Sequence, residues 1–376
     1  MPIVALSALL HLYLAWRLVP AWSAWPVAAG ALAALLLASA IVMPLAMRAR
    51  RFRSPGWATA MTWAGFGFLG LFSSLLVLTL LRDLGLGAAA LLHAAVGGFD
   101  LERLALRSGQ AVPLLALVAT LWGFLNARRT ASVVDVEVPI AGLPAALHGF
   151  TIAQISDIHV GPTIGRGYLD AIVQAVNRLD VDLVAVTGDL VDGRVADLAE
   201  HVAPLASLRS RHGTYFVTGN HEYYSGAPAW IAELRRLGVR VLLNEHVVLS
   251  HGEAALLLAG VTDHGAHHFD PAQRSDPEAA LAGAPAEARV RVLLAHQPRS
   301  AEAAERAGFQ LQLSGHTHGG QFWPWNHFVR FQQPFTSGLH RWRGLWVYVS
   351  RGTGYWGPPK RLGAPSEITR VRLVPS

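Results

Sequence analysis

The stretch Ser314-Gly315-His316-Thr317-His318-Gly319-Gly320 sets two imidazoles two residues apart in a loop with glycine on both sides. Glycine lets a backbone approach an ion or a phosphate closely, and paired histidines in such a loop have little use as packing residues. Working back toward the N-terminus, four more strand-like runs end in residues of the same kind. Phe150–Ser156 runs into Asp157-Ile158-His159, whose i and i+2 side chains fall on one side of an extended chain. Val181–Thr187 leads to Gly188-Asp189-Leu190-Val191-Asp192-Gly193, Tyr215–Thr218 to Gly219-Asn220-His221-Glu222, and Val290–Ala295 to His296-Gln297. Any one of these passes for a turn: Gly-Asn-His suits a left-handed Asn, and Asp-x-His a polar pair. Together, at successive strand ends where open α/β sheets collect their sites, they argue for a metal centre.

The pattern around these loops is that of a layered α/β protein. Tyr168–Leu179 carries Leu169, Ile172, Val173, Val176 and Leu179 on one helical face, and Leu198–Leu208 reads as a second helix. Further strands are expected at Val134–Pro139, Val239–Leu243, Ala254–Gly260, Gln310–Ser314, Leu345–Ser350 and Glu367–Leu373. Ala266–Pro285, polar and punctuated by Pro271, Pro277 and Pro285, is the loosest part.

The five blocks, in this order, resemble the calcineurin-like metallophosphoesterase superfamily, whose signature is D-x-H, G-D, G-N-H-[ED], a lone His and G-H-[TS]-H. The resemblance covers about Phe150 to Leu373 and is nearest to a bacterial, membrane-associated branch; Tyr348-Val349-Ser350-Arg351-Gly352-Thr353-Gly354 and Glu367-Ile368-Thr369 match that branch as well. It implies a four-layer α/β/β/α sandwich holding two metal ions. Carried over by motif, Asp157, His159 and His318 would ligate one metal, Asn220, His296 and His316 the other, and Asp189 would bridge them. His221 would be the catalytic residue that meets the phosphoryl oxygen or protonates the leaving group, a task suited to a side chain titrating near neutrality. Glu222 and Asp192 are expected to orient ligands or cap turns, and Gln321 to stand behind the ligands in a supporting place. The donor set of carboxylate, amide and imidazole suits two divalent ions, Mn, Fe or Zn. The chemistry implied is phosphoester or pyrophosphate hydrolysis by in-line attack of a hydroxide shared between the metals.

Composition places the rest of the chain. Hydrophobic residues make up 52% and charged residues 15% of 376, which excludes an ordinary soluble or disordered chain. Cysteine is absent, which excludes thiolate metal sites, cysteine nucleophiles and disulfides. Up to Asn126 there are 8 Arg and 3 acidic residues, leaving 23 basic and 22 acidic for the remainder. The basic excess therefore sits between apolar runs. It reads as a membrane-topology signal and gives no expectation of nucleic-acid binding. Runs of the length that crosses roughly 30 Å of hydrocarbon occur at Ile3–Val19, Val27–Met47, Trp57–Leu81 and Ala111–Asn126, with Trp16, Trp22, Trp25, Trp57 and Trp122 toward their ends. The first lacks the basic start of a cleaved signal. Gly85–Gly98 is too short to cross and reads as an interfacial or re-entrant piece.

The expectation is thus a transmembrane helical domain over residues 1–130, of about four helices, and a metallophosphoesterase domain over 131–376. Arg48, Arg50, Arg51, Arg53, Arg128 and Arg129 would lie on one side, and Arg17, Arg82, Arg103 and Arg107 on the other. This bias puts both termini and the catalytic domain in the cytoplasm. Membrane lipids are the expected partners, with a phosphoester substrate for which a lipid-linked one is a candidate. The rival reading is a non-catalytic membrane scaffold or sensor that keeps the fold. His264, His267 and His268 read as a solvated loop in preference to a third metal site. The aromatic run Phe322, Trp323, Trp325, Phe328, Phe331 and Phe335 reads as core packing or, more sharply, as a membrane-facing lip with Arg330, Arg341 and Arg343 near phosphates.

Overall fold

The computed structural model describes residues 2–48, 54–98 and 100–376. Arg50, Arg51 and Arg53, used above for orientation, lie outside the described residues. The chain divides into two compact units, one of Met1–Asn126 with Gly357–Lys360, the other of Ala127–Trp356 with Arg361–Ser376.

The first unit is helical: α1 (Pro2–Leu18), α2 (Pro26–Ala46), α3 (Pro55–Val96) and α4 (Leu101–Arg128). All four are long and apolar enough to cross a membrane. Leu14, Leu18, Leu32, Leu36, Phe72, Leu75, Val112 and Ala116 pack into its core, while Leu9, Leu12, Leu37 and Val118 remain exposed on outer faces. A bundle apolar on the outside as well as within is built for lipid. The Gly85–Gly98 expectation is corrected here, because residues 85–96 continue α3 without a break. At 1.5 Å per residue its 42 residues run about 63 Å, roughly twice the hydrocarbon thickness. The break in hydropathy at Arg82-Asp83 ends the apolar stretch and leaves the helix intact. Asp83 there accepts hydrogen bonds from Arg17 (2.7 Å), Arg82 (2.9 Å) and Tyr13 (2.7 Å). From the tail, Lys360 is almost fully buried in this unit, its Nζ donating to Gly70 O (2.9 Å) and Ser74 Oγ (2.5 Å).

The second unit holds two six-stranded sheets. The first contains β1 (Ser132–Ile140), β2 (Thr151–Ile155), β3 (Leu183–Val186), β4 (Thr214–Phe216), β5 (Arg240–Val241) and β12 (Glu367–Pro375), in the order β1-β12-β2-β3-β4-β5. The second contains β6 (Glu245–His251), β7 (Ala254–Gly260), β8 (Val290–Leu294), β9 (Leu311–Ser314), β10 (Gly338–Trp342) and β11 (Leu345–Val349), in the order β10-β11-β9-β8-β7-β6. Within them β2, β3, β4 and β5 run parallel, as do β7, β8, β9 and β11.

Strand alternation builds the layers. Ile152, Leu183, Ala185 and Tyr215 face Leu256, Leu258, Val292, Leu294 and Leu313 in the core between the sheets. Their neighbours Ala153, Ile155, Val184 and Val186 face the other way, into a second core with α5 (Arg166–Asn177), α6 (Val195–Val202) and α8 (Ala227–Arg236). Leu257, Ala259, Leu293, Val347 and Val349 pack outward against α9 (Ala301–Arg306). The result is the four-layer α/β/β/α sandwich, preceded by the helical unit. Two edge strands, β6 and β10, escaped the reading of the sequence.

Candidate metal centre

Every residue singled out as a ligand lies just past the C-terminal end of a parallel strand. Asp157 and His159 follow β2, Asp189 follows β3, and Asn220 opens the short helix α7 (Asn220–Ser225) after β4. His296 follows β8, and His316 and His318 follow β9. Backbone hydrogen bonds tie the loops to one another: Asp157 N–H to Gly188 O (3.0 Å), His159 N–H to Asp189 O (3.1 Å) and Gly315 N–H to His296 O (2.9 Å).

These bonds hold the loops in a costly shape. Asp157 (φ 54°), His159 (57°), Asp189 (51°), His316 (72°) and His318 (51°) all occupy the left-handed region, which costs an L-residue of this kind on the order of 1 kcal/mol or more. The approach of the loops is also tight. A Cβ on Gly315 would run into Ser156 Oγ and Asp157 Oδ2, and one on Gly219 into Asp189 Oδ1. The glycines beside the ligands are therefore needed for close approach.

The side chains converge in three overlapping sets whose ligand atoms lie within 4.8 Å of one another: Asp157, His159 and His318; His159, Asp189 and His221; and Asp189, His296 and His316. Among the described residues these are the groups able to hold an ion. Asp189 Oδ2 stands 3.2 Å from His296 Nε2 and 4.0 Å from His159 Nε2. His159 Nε2 and His318 Nε2 approach to 3.0 Å, and His316 Nδ1 and His296 Nε2 to 3.2 Å. The amide oxygen of Asn220 is buried and accepts no hydrogen bond among the described residues. An acceptor desolvated in this way is costly unless something positive meets it. The donor set fits a pair of divalent cations.

Neighbouring groups set each ligand. His296 donates from Nδ1 to Thr187 O (2.7 Å), which turns Nε2 to the centre. His316 N–H donates to both oxygens of Asp157 (2.9 and 3.0 Å), and His221 N–H to Asp189 Oδ1 (2.9 Å). Glu222, fully buried, accepts from the backbone N–H groups of Asp189 (3.0 Å), Gly219 (2.6 Å) and Leu190 (2.8 Å). It staples the Asp189 loop to the Asn220 loop, the orienting role read from its position. Asp192 Oδ1 sits 2.5 Å from His221 Nδ1 and 3.3 Å from His159 Nδ1.

Burial drives His318 well below its ordinary pKa, with His159 and Arg361 adding to the effect, and holds His316 at about 4 with help from His296. Both imidazoles are neutral at neutral pH, as ligands must be. Burial opposes charge on Asp189, but His296, His221 and His159 outweigh it and keep the carboxyl well below the usual range. Burial likewise works against a charged His221. Its hydrogen bond to Asp192 and the nearby Asp189 carboxylate prevail and raise it to about 9.

Several residues of this neighbourhood had no signal in the sequence. Arg361 is buried and donates to the carbonyls of His318 (2.9 Å), Arg351 (2.8 Å), Ala364 (3.3 Å) and Gly354 (3.1 Å), with Nη2 at 3.1 Å from His318 Nδ1. Asp263, also buried, accepts from Gln297 Nε2 at 3.0 Å and from Gly265 N–H at 2.8 Å. Gln321 clamps the backbone of Trp356, accepting its N–H and donating to its carbonyl, both at 2.8 Å.

The sequence of the calcineurin-like phosphoesterase family matches residues 150–320. A Helicobacter pylori protein described as an uncharacterized metallophosphoesterase is 36% identical over 267 residues, 69% of each chain. The chain belongs to the calcineurin-like metallophosphoesterases. A Bos taurus transmembrane protein with metallophosphoesterase domain is 44% identical to this metallophosphoesterase over 292 residues, 74% of this chain and 65% of the bovine one. An uncharacterized metallophosphoesterase of Aquifex aeolicus is 33% identical over 224 residues, 59% of this chain and 84% of that one. The matches thus take in less than two thirds of the bovine protein's length and 61% of that of a Danio rerio relative.

Among the described residues, the remaining candidates of this metallophosphoesterase join none of the three sets. His267 and His268 lie against each other (ring centroids 4.0 Å) in a run of short turns, and neither they nor His264 join a set able to hold an ion. Phe322 is buried and Phe335 packs against the outer core, as core packing expects, whereas Trp323, Trp325, Phe328 and Phe331 are exposed. Arg341 lies over Trp346, and Arg343 pairs with Glu305 (3.4 Å).

Proposed function

We propose that this metallophosphoesterase is a membrane-anchored phosphoester hydrolase with a two-metal centre, residues 1–130 forming the anchor and 131–376 the catalytic domain. Asp157, His159 and His318 would hold one ion, Asn220, His296 and His316 the other, and Asp189 both. The observation that carries this reading is the place of Asp189, whose carboxylate stands within 4.0 Å of imidazoles from both sets. Bound divalent ions there would supply positive charge for the phosphoryl oxygens and acidify a water. The chain's own part is positional: seven ligands held by strained loops, and His221, its Nδ1 on Asp192, turning Nε2 toward the reacting phosphate. From there it protonates the departing oxygen.

Four crossings return the chain to the side on which it started, and the arginine bias makes that side the cytoplasm. Lipid-borne phosphoesters are the favoured substrates. The exposed Trp323, Trp325, Phe328 and Phe331 support this choice, since aromatic rings of this kind partition to the headgroup level. The test is metal-stimulated release of phosphate or a monoester by the detergent-purified chain, with Asp189→Ala as control. Turnover by that variant at the wild-type rate would sink the assignment. A reporter fused at Ser376 and active on one side only decides the orientation.

A further inference from the structure

We infer that Tyr224, Trp356 and Phe269 form an apolar collar that takes an aliphatic leaving group. The inference rests on the hydrolase reading, in which His221 gives its proton to the departing oxygen. The ring centroids of Tyr224 and Trp356 lie 5.3 and 5.8 Å from that of His221, at 74° and 76° to it. Phe269 extends the surface, 5.5 Å from Tyr224. All three rings are more than half exposed, at 59%, 53% and 53%. Large apolar faces left open to water next to a reacting centre are a cost that substrate contact would relieve.

The three rings come from distant parts of the chain, and each has its own support. Tyr224 rides on α7 three residues after His221 and so shares a helical face with it. Trp356 is fixed by the double hydrogen bond from Gln321, the residue that follows the His316–His318 loop. Phe269 packs on Tyr223 (5.5 Å), whose hydroxyl donates to Gln273 (2.7 Å). The backbones are held while the faces stay open, the arrangement of a preformed subsite.

The geometry selects the class of ligand. Tyr224 and Phe269 are tilted by 62°, so these two rings form no parallel slot for a flat heterocycle. Methylene groups, by contrast, contact ring faces from any direction. An anchor of four apolar helices also keeps the enzyme among alkyl-bearing phosphoesters. In the reaction a water oxygen bonds to phosphorus as the bond from phosphorus to the alkyl oxygen breaks. The electron pair stays on that oxygen, which takes the proton from His221, and the alcohol leaves along the collar. The attacking water's proton passes to solvent and His221 is reprotonated from it.

The experiment uses the full chain in detergent with Mn²⁺. Hydrolysis of n-alkyl phosphates from ethyl to hexyl, and of their methyl diesters, is followed beside p-nitrophenyl phosphate. In the wild type kcat/KM should rise about two- to fourfold per added methylene, the upper value being full burial. Tyr224→Ala, Trp356→Ala and the double variant should flatten that slope, while Trp342→Ala, on the β10–β11 hairpin, keeps it. Bound Mn²⁺ per chain is measured for each variant, and each single variant is read beside the double, so that a misfolded protein is recognised. Hydrolysis with no chain-length dependence, or with the same slope in wild type and collar variants, overturns the collar alone. Silence toward every substrate, p-nitrophenyl phosphate included, removes the hydrolase reading and the collar with it.

Discussion

Replacing Glu222 by glutamine tests how the two halves of the centre are joined. The carboxylate accepts three backbone N–H groups, two on Oε2 from Asp189 and Gly219 and one on Oε1 from Leu190. A glutamine keeps the shape but has one acceptor oxygen. If that oxygen takes the Oε2 place, the amide NH₂ points at the Leu190 N–H. If it takes the other, two donors are opposed. Each orphaned buried donor costs about 1–3 kcal/mol, and the bonds that survive lose their charge assistance. Burial, followed by the nearby Asp189, pushes the Glu222 pKa up to about 7, so the group sits near the point where protonation would undo the same bonds. We expect Glu222→Gln to unfold about 2–3 kcal/mol more easily and to bind Mn²⁺ about 10- to 100-fold more weakly, as happens when a partner of a ligand is lost. The assays are calorimetric titration of metal-stripped protein and thermal unfolding. Mn²⁺ affinity within about twofold of wild type would show that the Asp189 loop does not depend on this staple.

Further outcomes follow from other contacts. Arg361→Met leaves four carbonyls without their donor and should cost on the order of 3 kcal/mol in thermal unfolding; Arg361→Lys should not restore it, because an ammonium lacks the planar fork. Gly315→Ala should lose bound metal, measured as Mn²⁺ per chain, because the added methyl displaces Asp157. Asp192→Asn should bring the His221 pKa down from about 9, read by NMR titration of metal-free protein. His221 is raised from its ordinary 6.5 and Asp192 lowered from its ordinary 3.8, so the pair stabilises the fold fully between about 4 and 6.5 and loses that contribution as pH climbs from there through about 9. The stability gap between wild type and Asp192→Asn should therefore be widest inside that window and close outside it.

What could be read in advance was what repeats locally. Asp157 with His159, and His316 with His318, carry their message in spacing of two, and the β-branched runs before them mark the strands. The edge strands β6 and β10 carry less: Glu245–His251 is polar at both ends and Gly338–Trp342 half-exposed, so neither shows a buried alternation. Helix α3 was cut short at Arg82-Asp83 because hydropathy reports the thickness of hydrocarbon and says nothing of where hydrogen bonding stops. Arg361 and Trp356 were silent because their meaning lies in partners 35 to 43 residues away. The left-handed turns at the ligands were equally hidden, since aspartate and histidine, unlike the glycines beside some of them, do not announce a positive φ.

Those turns bear on how such a protein can evolve. Five of the candidate ligand positions hold a backbone shape that glycine or asparagine would adopt more cheaply. Selection for heat resistance alone would drift them toward those residues, relaxing the scaffold while erasing the donors. Laboratory stabilisation of the domain should therefore leave the five corners untouched.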